Sequence, residues 1–131
     1  MVEVTAAIIC KRGRVLICQR PADKRCGLLW EFPGGKLEEG ETGEQCIRRE
    51  CREELAAELA EIRPFAEVVY EYPGYAVHIQ FYTAKLAAGE PVRREHAAFR
   101  WIKPEEAAEI EFCPADAKML SENRLSNLFP Q

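Results

Sequence analysis

The chain has 131 residues, 47% of them hydrophobic, enough for one domain with a real core and too few for two ordinary ones. Its 22 acidic and 18 basic side chains leave a formal charge of -4, and Lys and Arg are scattered rather than massed, which argues against nucleic acid as a partner. No apolar run approaches the length of a membrane span, and Met1-Val2-Glu3-Val4-Thr5 is no basic stretch leading into a hydrophobic block; the expectation is one domain over residues 1–131, cytoplasmic, monomer or homodimer, with no membrane contact.

In chain order, the β-branched and apolar runs Val2 to Cys10 and Val15 to Gln19, joined by Lys11-Arg12-Gly13-Arg14, predict a hairpin. A polar loop with Pro21, Asp23, Lys24, Arg25 and Gly27 follows. Then the apolar piece Leu28-Leu29-Trp30-Glu31-Phe32 runs into Pro33-Gly34-Gly35, a turn that brings backbone close to something. Thr42 with Gln45 three residues on is a capping box, and Ile47, Cys51, Leu55 and Leu59 at i, i+4 predict a helix from about Gly43 to Ala60 with one buried stripe. Strands are expected at Ala66 to Tyr72, Ala76 to Leu86 and Ala98 to Ile102. Pro104 should open a short helix, and Pro114 a C-terminal one reaching about Leu125. The mixture predicts an α/β domain, a sheet flanked by helices. The six cysteines sit mostly inside apolar runs and form no Cys-x-x-Cys pair, so they read as free thiols in a core rather than as disulfides or a zinc site.

Glu50, Glu53 and Glu54 stand at i, i+3 and i+4, within one narrow arc of the predicted helix. On spacing alone a solvated acidic face, neutralised by Arg48, Arg49 and Arg52, explains them as well as a cluster of hard oxygen ligands for Mg2+ or Mn2+ does.

Context separates the two. Residues 35 to 57 read GKLEEGETGEQCIRRECREELAA. This resembles the 23-residue Nudix box, with Gly35, Glu41, Arg49, Glu50, Glu53 and Glu54 at its fixed positions; at ordinary residue frequencies the six-fold match has a chance of roughly 10⁻⁷ per starting point. Ala56 stands where the box has glycine, and Cys51 and Ala57 where it has bulky aliphatics. An alanine at that position predicts that the helix continues a turn further. The likeness extends to Arg20, to Glu31-Phe32-Pro33-Gly34-Gly35-Lys36, to Glu95 and to Pro114-Ala115-Asp116, which resemble the corresponding segments of the MutT type, the nucleoside-triphosphate branch of the family.

The resemblance implies an α/β/α sandwich around a mixed sheet and Mg2+-dependent hydrolysis, with Mn2+ able to substitute, of a nucleoside triphosphate to the monophosphate and pyrophosphate. It implies that Glu50, Glu53, Glu54 and Glu95, with the Gly35 carbonyl, hold the metal. Glu50 is the candidate base, and Arg49 braces Glu41 at the turn before the helix. Arg20 and Lys36 are expected to hold phosphates, each with a surface cation as the alternative. Phe32, Tyr70 and Tyr72 are expected to stack on a base or to belong to the core.

Asp116 is expected to contact the base as an ionised, accept-only carboxylate, preferring exposed amino groups such as cytosine N4. Together with His78 it resembles the cytidine-triphosphate-preferring members, which makes (d)CTP or a modified dCTP the expected substrate and 8-oxo-dGTP the nearest rival. A Nudix module that binds nucleotide without turnover, and an acidic interaction domain, are the readings from other classes.

Overall fold

A computed structural model describes residues 1–129 and places strand β1 (Val2–Lys11) in the middle of the sheet. β1 pairs antiparallel with β2 (Arg14–Gln19), Cys10 opposite Val15, which is the expected hairpin. On its other side it runs parallel to β6 (Tyr75–Leu86), from Val2 opposite Val77 to Ile9 opposite Ala84, and β6 pairs antiparallel with β5 (Leu59–Tyr72). β4 (Gly34–Lys36) joins β1, while β3 (Trp30–Glu31) and β7 (Ala98–Ile102) join β2. A parallel pair among antiparallel ones makes the sheet mixed, as expected.

Strand residues alternate between faces, and Thr5 to Ile9 are all buried, so β1 must be covered on both sides. Ala7 and Ile9 face a cluster with Leu16, Ile47, Cys51 and Leu55 beneath helix α1 (Gly43–Leu55). Ala6 and Ile8 face the other cluster, with Ile17, Phe81 and Met119 beneath α2 (Pro114–Glu122). This is the α/β/α sandwich. Each buried isoleucine contributes about 1.5–3 kcal/mol, so the two layers lock the position of α1 on the sheet. The six cysteines are free, four of them buried.

The start of α1 is the predicted capping box: the Thr42 hydroxyl accepts from the Gln45 N–H at 3.1 Å, and the Thr42 N–H donates to Gln45 Oε1 at 2.9 Å. Its end corrects the sequence reading. The helix stops at Leu55 rather than running to Ala60, because Ala56 takes the left-handed conformation (φ 51°, ψ 31°). The Ala56 N–H then reaches the Arg52 carbonyl at 3.0 Å and the Ala57 N–H the Cys51 carbonyl at 3.2 Å, the paired closure that usually rests on glycine. Ala57 and Leu59 turn inward after it, so Leu59 is buried as expected but as the first residue of β5, which begins well before Ala66. Bulges at Ala60/Arg63 and Pro64/Ala66 absorb Pro64, which has no N–H for the ladder. Pro104 opens a 3-10 turn (Pro104–Glu109), and α2 ends at Glu122, with a second 3-10 turn at Leu125–Leu128 in place of its last predicted residues. No helix among the described residues is long and apolar enough to cross a membrane.

A left-handed alanine costs about 1–2 kcal/mol that glycine does not. Ala56→Gly should therefore raise stability by about 1 kcal/mol and the melting temperature by about 4 °C. Thermal unfolding checks this; an unchanged or lower midpoint would show that the end of the helix is not strained.

Candidate active site

The apolar face of α1 is seated by Cys46, Ile47, Cys51 and Leu55, which sets the direction of its carboxylates. Glu50 lies against β4, so close to Gly35 that any Cβ there would overlap its carboxylate. The turn between β4 and α1 is tied by Arg49, whose fork reaches Glu41 at 2.6 and 3.0 Å and the Lys36 carbonyl at 3.1 Å. The same guanidinium pairs with Glu38 at 2.9 Å, Glu50 at 2.9 Å and Glu53 at 3.2 Å. Glu41 is held down to about 2 by that fork and by the Glu38 N–H. Arg49 is thus the brace the sequence suggested, and it also gathers two of the three helix carboxylates.

Glu54 is different. It is 6% exposed, its Oε1 lies 3.3 Å from His96 Nε2, and its Oε2 has no partner. Burial, then the contact and charge of Glu50, then the charges of Glu31 and Glu95, push it up to about 10. His96 is also buried, and its Nε2 sits 3.2 Å from Glu31 Oε2. His96 Nε2 thus stands between two carboxyl groups, those of Glu31 and Glu54. Glu31 in turn pairs with Arg20 at 3.0 Å. A chain of contacts therefore runs Arg20, Glu31, His96, Glu54. Neither Glu31 nor His96 was a candidate from sequence; the signal available was a carboxylate inside the apolar run Leu28 to Phe32.

Glu95 is exposed but borders the same cavity of about 400 Å³ as Gly35, Glu54 and His96. An unpartnered buried carboxylate oxygen, with three further carboxylates acting on it, is a donor set that suits a hard divalent cation. Among the described residues no three His, Cys, Asp or Glu side chains stand together as a ready cage. Glu53, half-exposed, is engaged by Arg49 and would have to exchange that partner for a metal.

A second cavity, of about 520 Å³, shares Arg20, Glu31, Lys36 and Asp116 with the first. Lys36 is exposed at their common edge. Val2, Val4, Val77 and Ile79 make its apolar wall, and Asp116, the third residue of α2, is buried in the lining that the two cavities share. Burial and the charge of Glu31 push Asp116 up to about 8, against the Phe32 N–H that donates to its Oδ2 at 3.0 Å. Burial of the first turn of α2, which the sequence could not show, thus favours a protonated group that can donate as well as accept over the accept-only carboxylate expected. The Phe32 ring is 3% exposed and packs on Phe81 and Phe112 at 6.2 and 5.7 Å, so its backbone N–H is what reaches the site residues. His78 bridges Glu3 and Glu67 at 2.6 and 2.9 Å, alternating along β6 with Val77 and Ile79, which line the cavity.

The sequence profile of the NUDIX domain matches residues 4–122. The chain belongs to the Nudix family. Its similarity to known Nudix enzymes spans nearly all of the chain: it is 39% identical over 120 residues to the CTP pyrophosphohydrolase of Escherichia coli (strain K12), covering 92% of this chain and 89% of that enzyme. It is 32% identical over 128 residues to the 8-oxo-dGTP diphosphatase of Haemophilus influenzae, covering 97% and 93%. The crystal structure of the MutT NUDIX hydrolase from Burkholderia pseudomallei superposes with a TM-score of 0.80 at 26% identity, over 92% of this chain and 95% of that one. The protein is a Nudix hydrolase of the MutT-like kind, and the carboxylates of α1 are its Nudix-box residues.

Two expectations follow from this geometry. Gly35→Ala should displace Glu50 and lower kcat about 100-fold, the order expected for a 1 Å misplacement, with the unfolding midpoint within a few degrees; unchanged turnover would mean that Glu50 need not sit where Gly35 lets it. Asp116 titrates higher folded than unfolded, so wild-type stability should fall as pH rises from about 4 to about 8 through this group. Asp116→Asn removes that titration, and the variant's stability relative to wild type should climb across this window and level off above it. Urea unfolding at pH 5, 7 and 9 reads the difference; a flat difference would place Asp116 outside a desolvated site.

Proposed function

We propose that the protein is a cytoplasmic hydrolase of (deoxy)cytidine triphosphates, base-modified forms included, releasing the monophosphate and pyrophosphate. The observation that carries the reading is the joined pair of cavities: the buried hydrogen-bonding group Asp116 and the cations Arg20 and Lys36 line both, aliphatic and aromatic side chains line one, and Glu54, Glu95 and Gly35, the last against Glu50, line the other. A base, a triphosphate and a metal-assisted hydrolysis need those chemistries side by side.

Mg2+, or Mn2+ in its place, bound by Glu50, Glu53, Glu54, Glu95 and the Gly35 carbonyl, would neutralise phosphoryl oxygens and acidify the attacking water. Glu50, fixed between Gly35 and Arg49, is the group that takes the water's proton. Arg20 offers a fork and Lys36 a point charge to the phosphates. A carboxylic acid at Asp116 can give its proton to cytosine N3 while its carbonyl accepts from N4, and the 39% relative named for CTP supports that choice. The same acid also matches the O6 and N7–H edge of an 8-oxoguanine, and the 32% relative named for 8-oxo-dGTP makes that triphosphate the second reading.

The test is release of monophosphate and pyrophosphate from CTP, dCTP, 5-methyl-dCTP, UTP, dGTP and 8-oxo-dGTP, with Mg2+ and with EDTA. A cytidine substrate should show the highest kcat/KM, EDTA should abolish turnover, and Glu54→Gln should lower kcat by about 100-fold or more, as loss of one charge-stabilising contact does. Preference for 8-oxo-dGTP by tenfold or more would replace the first reading with the second, and no turnover of any triphosphate would refute both.

A further inference from the structure

The loop between β2 and β3 carries an arginine that no catalytic role absorbs. The Arg25 guanidinium lies 4.1 Å from the ring centroid of Tyr72 and 4.2 Å from that of Tyr75, and the two rings are near-parallel, 5.4 Å apart. Tyr72 is anchored from below, its hydroxyl accepting the Ala115 N–H at 3.3 Å and its ring 4.8 Å from Tyr70; Tyr75 is 38% exposed. All three side chains of the cluster border the cavity that Asp116 also lines.

The loop is built to present Arg25 there. Arg20 Nε donates to the Arg25 carbonyl at 2.5 Å, the Leu28 N–H to the Arg20 carbonyl at 3.0 Å, and the Leu29 N–H to the Cys26 carbonyl at 3.1 Å. Cys26 and Leu28 hold left-handed backbone (φ 55° and 65°), a conformation that non-glycine residues keep only where the surroundings enforce it, and one that gathers at ligand clamps. The side chain so presented joins this loop to the β5–β6 turn across the mouth of the cavity. A guanidinium plane stacks on aromatic faces and offers fixed donors at its edge, while the wall behind it is aliphatic. The opening suits a flat heterocycle better than a phosphate.

We propose that Arg25, seated on Tyr72 and Tyr75, is a specificity-determining residue of this hydrolase: it closes the nucleobase end of the cavity and holds the base by stacking, while taking no part in the hydrolysis. The inference rests on the nucleotide reading given above.

The experiment compares dCTP and 8-oxo-dGTP with deoxyribose 5-triphosphate, which lacks a base, in wild type, R25A, R25K, Y75A and R25A/Y75A. R25A and Y75A should each raise KM for the nucleotides about tenfold with kcat within about twofold, the scale of one desolvated cation–aromatic contact. Their KM for deoxyribose 5-triphosphate should move less than about twofold. The double variant should be little worse than either single one, because the two side chains form one device. R25K, which keeps the charge without the plane, should recover less than half of the loss. Equal KM increases with and without a base, an unaffected R25A, or effects that multiply in the double variant would each overturn the inference while leaving the proposed function standing. A wild type that hydrolyses no nucleoside triphosphate would overturn the proposed function itself and the inference with it.

Discussion

One carboxylate group organises this site by being badly placed on its own. Glu54 is drawn into the core by the same face of α1 that buries Cys51 and Leu55, and it arrives with one oxygen on His96 and the other on nothing. A buried charge without partners costs far more than any surface contact returns, so burial and its acidic neighbours favour the protonated form of Glu54. Well-packed hydrophobic residues would stabilise the helix better. The surrounding carboxylates Glu50, Glu31 and Glu95 make the position worse for folding and better for a cation, which is the usual sign of a site that spends stability on function.

Arg49 moderates that conflict. A single guanidinium touching Glu38, Glu41, Glu50 and Glu53 lets a turn with two of these acidic side chains close against a helix that carries the other two. Its hold on Glu53 is solvent-exposed and weak, while its fork on Glu41 has the bidentate geometry that resists exchange. The difference divides the acidic residues into those that brace the loop and those free to rearrange, although all of them look alike in composition.

The legible part of the molecule was the part governed by local periodicity and by a spaced motif. The capping box at Thr42, the hairpin at Gly13, the two-faced apolar run of β1 and the register of Glu50, Glu53 and Glu54 could all be read from the chain, since each depends on neighbours within a few residues. What stayed hidden depended on distant neighbours. At Ala56 only the glycine that the Nudix box carries there hints at the left-handed turn that delivers Leu59 into β5, and the alanine masks it. Nothing near Asp116 says that Phe32, 84 residues away, will cap its oxygen and seal it from water. The place of His78 was hidden for the same reason: the parity of β6 puts its imidazole among Glu3 and Glu67 while its neighbours Val77 and Ile79 face the cavity.

The two cavities are more than adjacent, because the groups between them are shared. Arg20 lines both cavities, its guanidinium holds Glu31 and its Nε holds the backbone of the loop that presents Arg25. Glu31 in turn shares the neighbourhood of His96 Nε2 with Glu54, at 3.2 and 3.3 Å. Without Arg20 beside it, Glu31 would stand next to His96 and Glu54 as a carboxylate with no cation, so the basic and the acidic parts of the site are joined through Glu31.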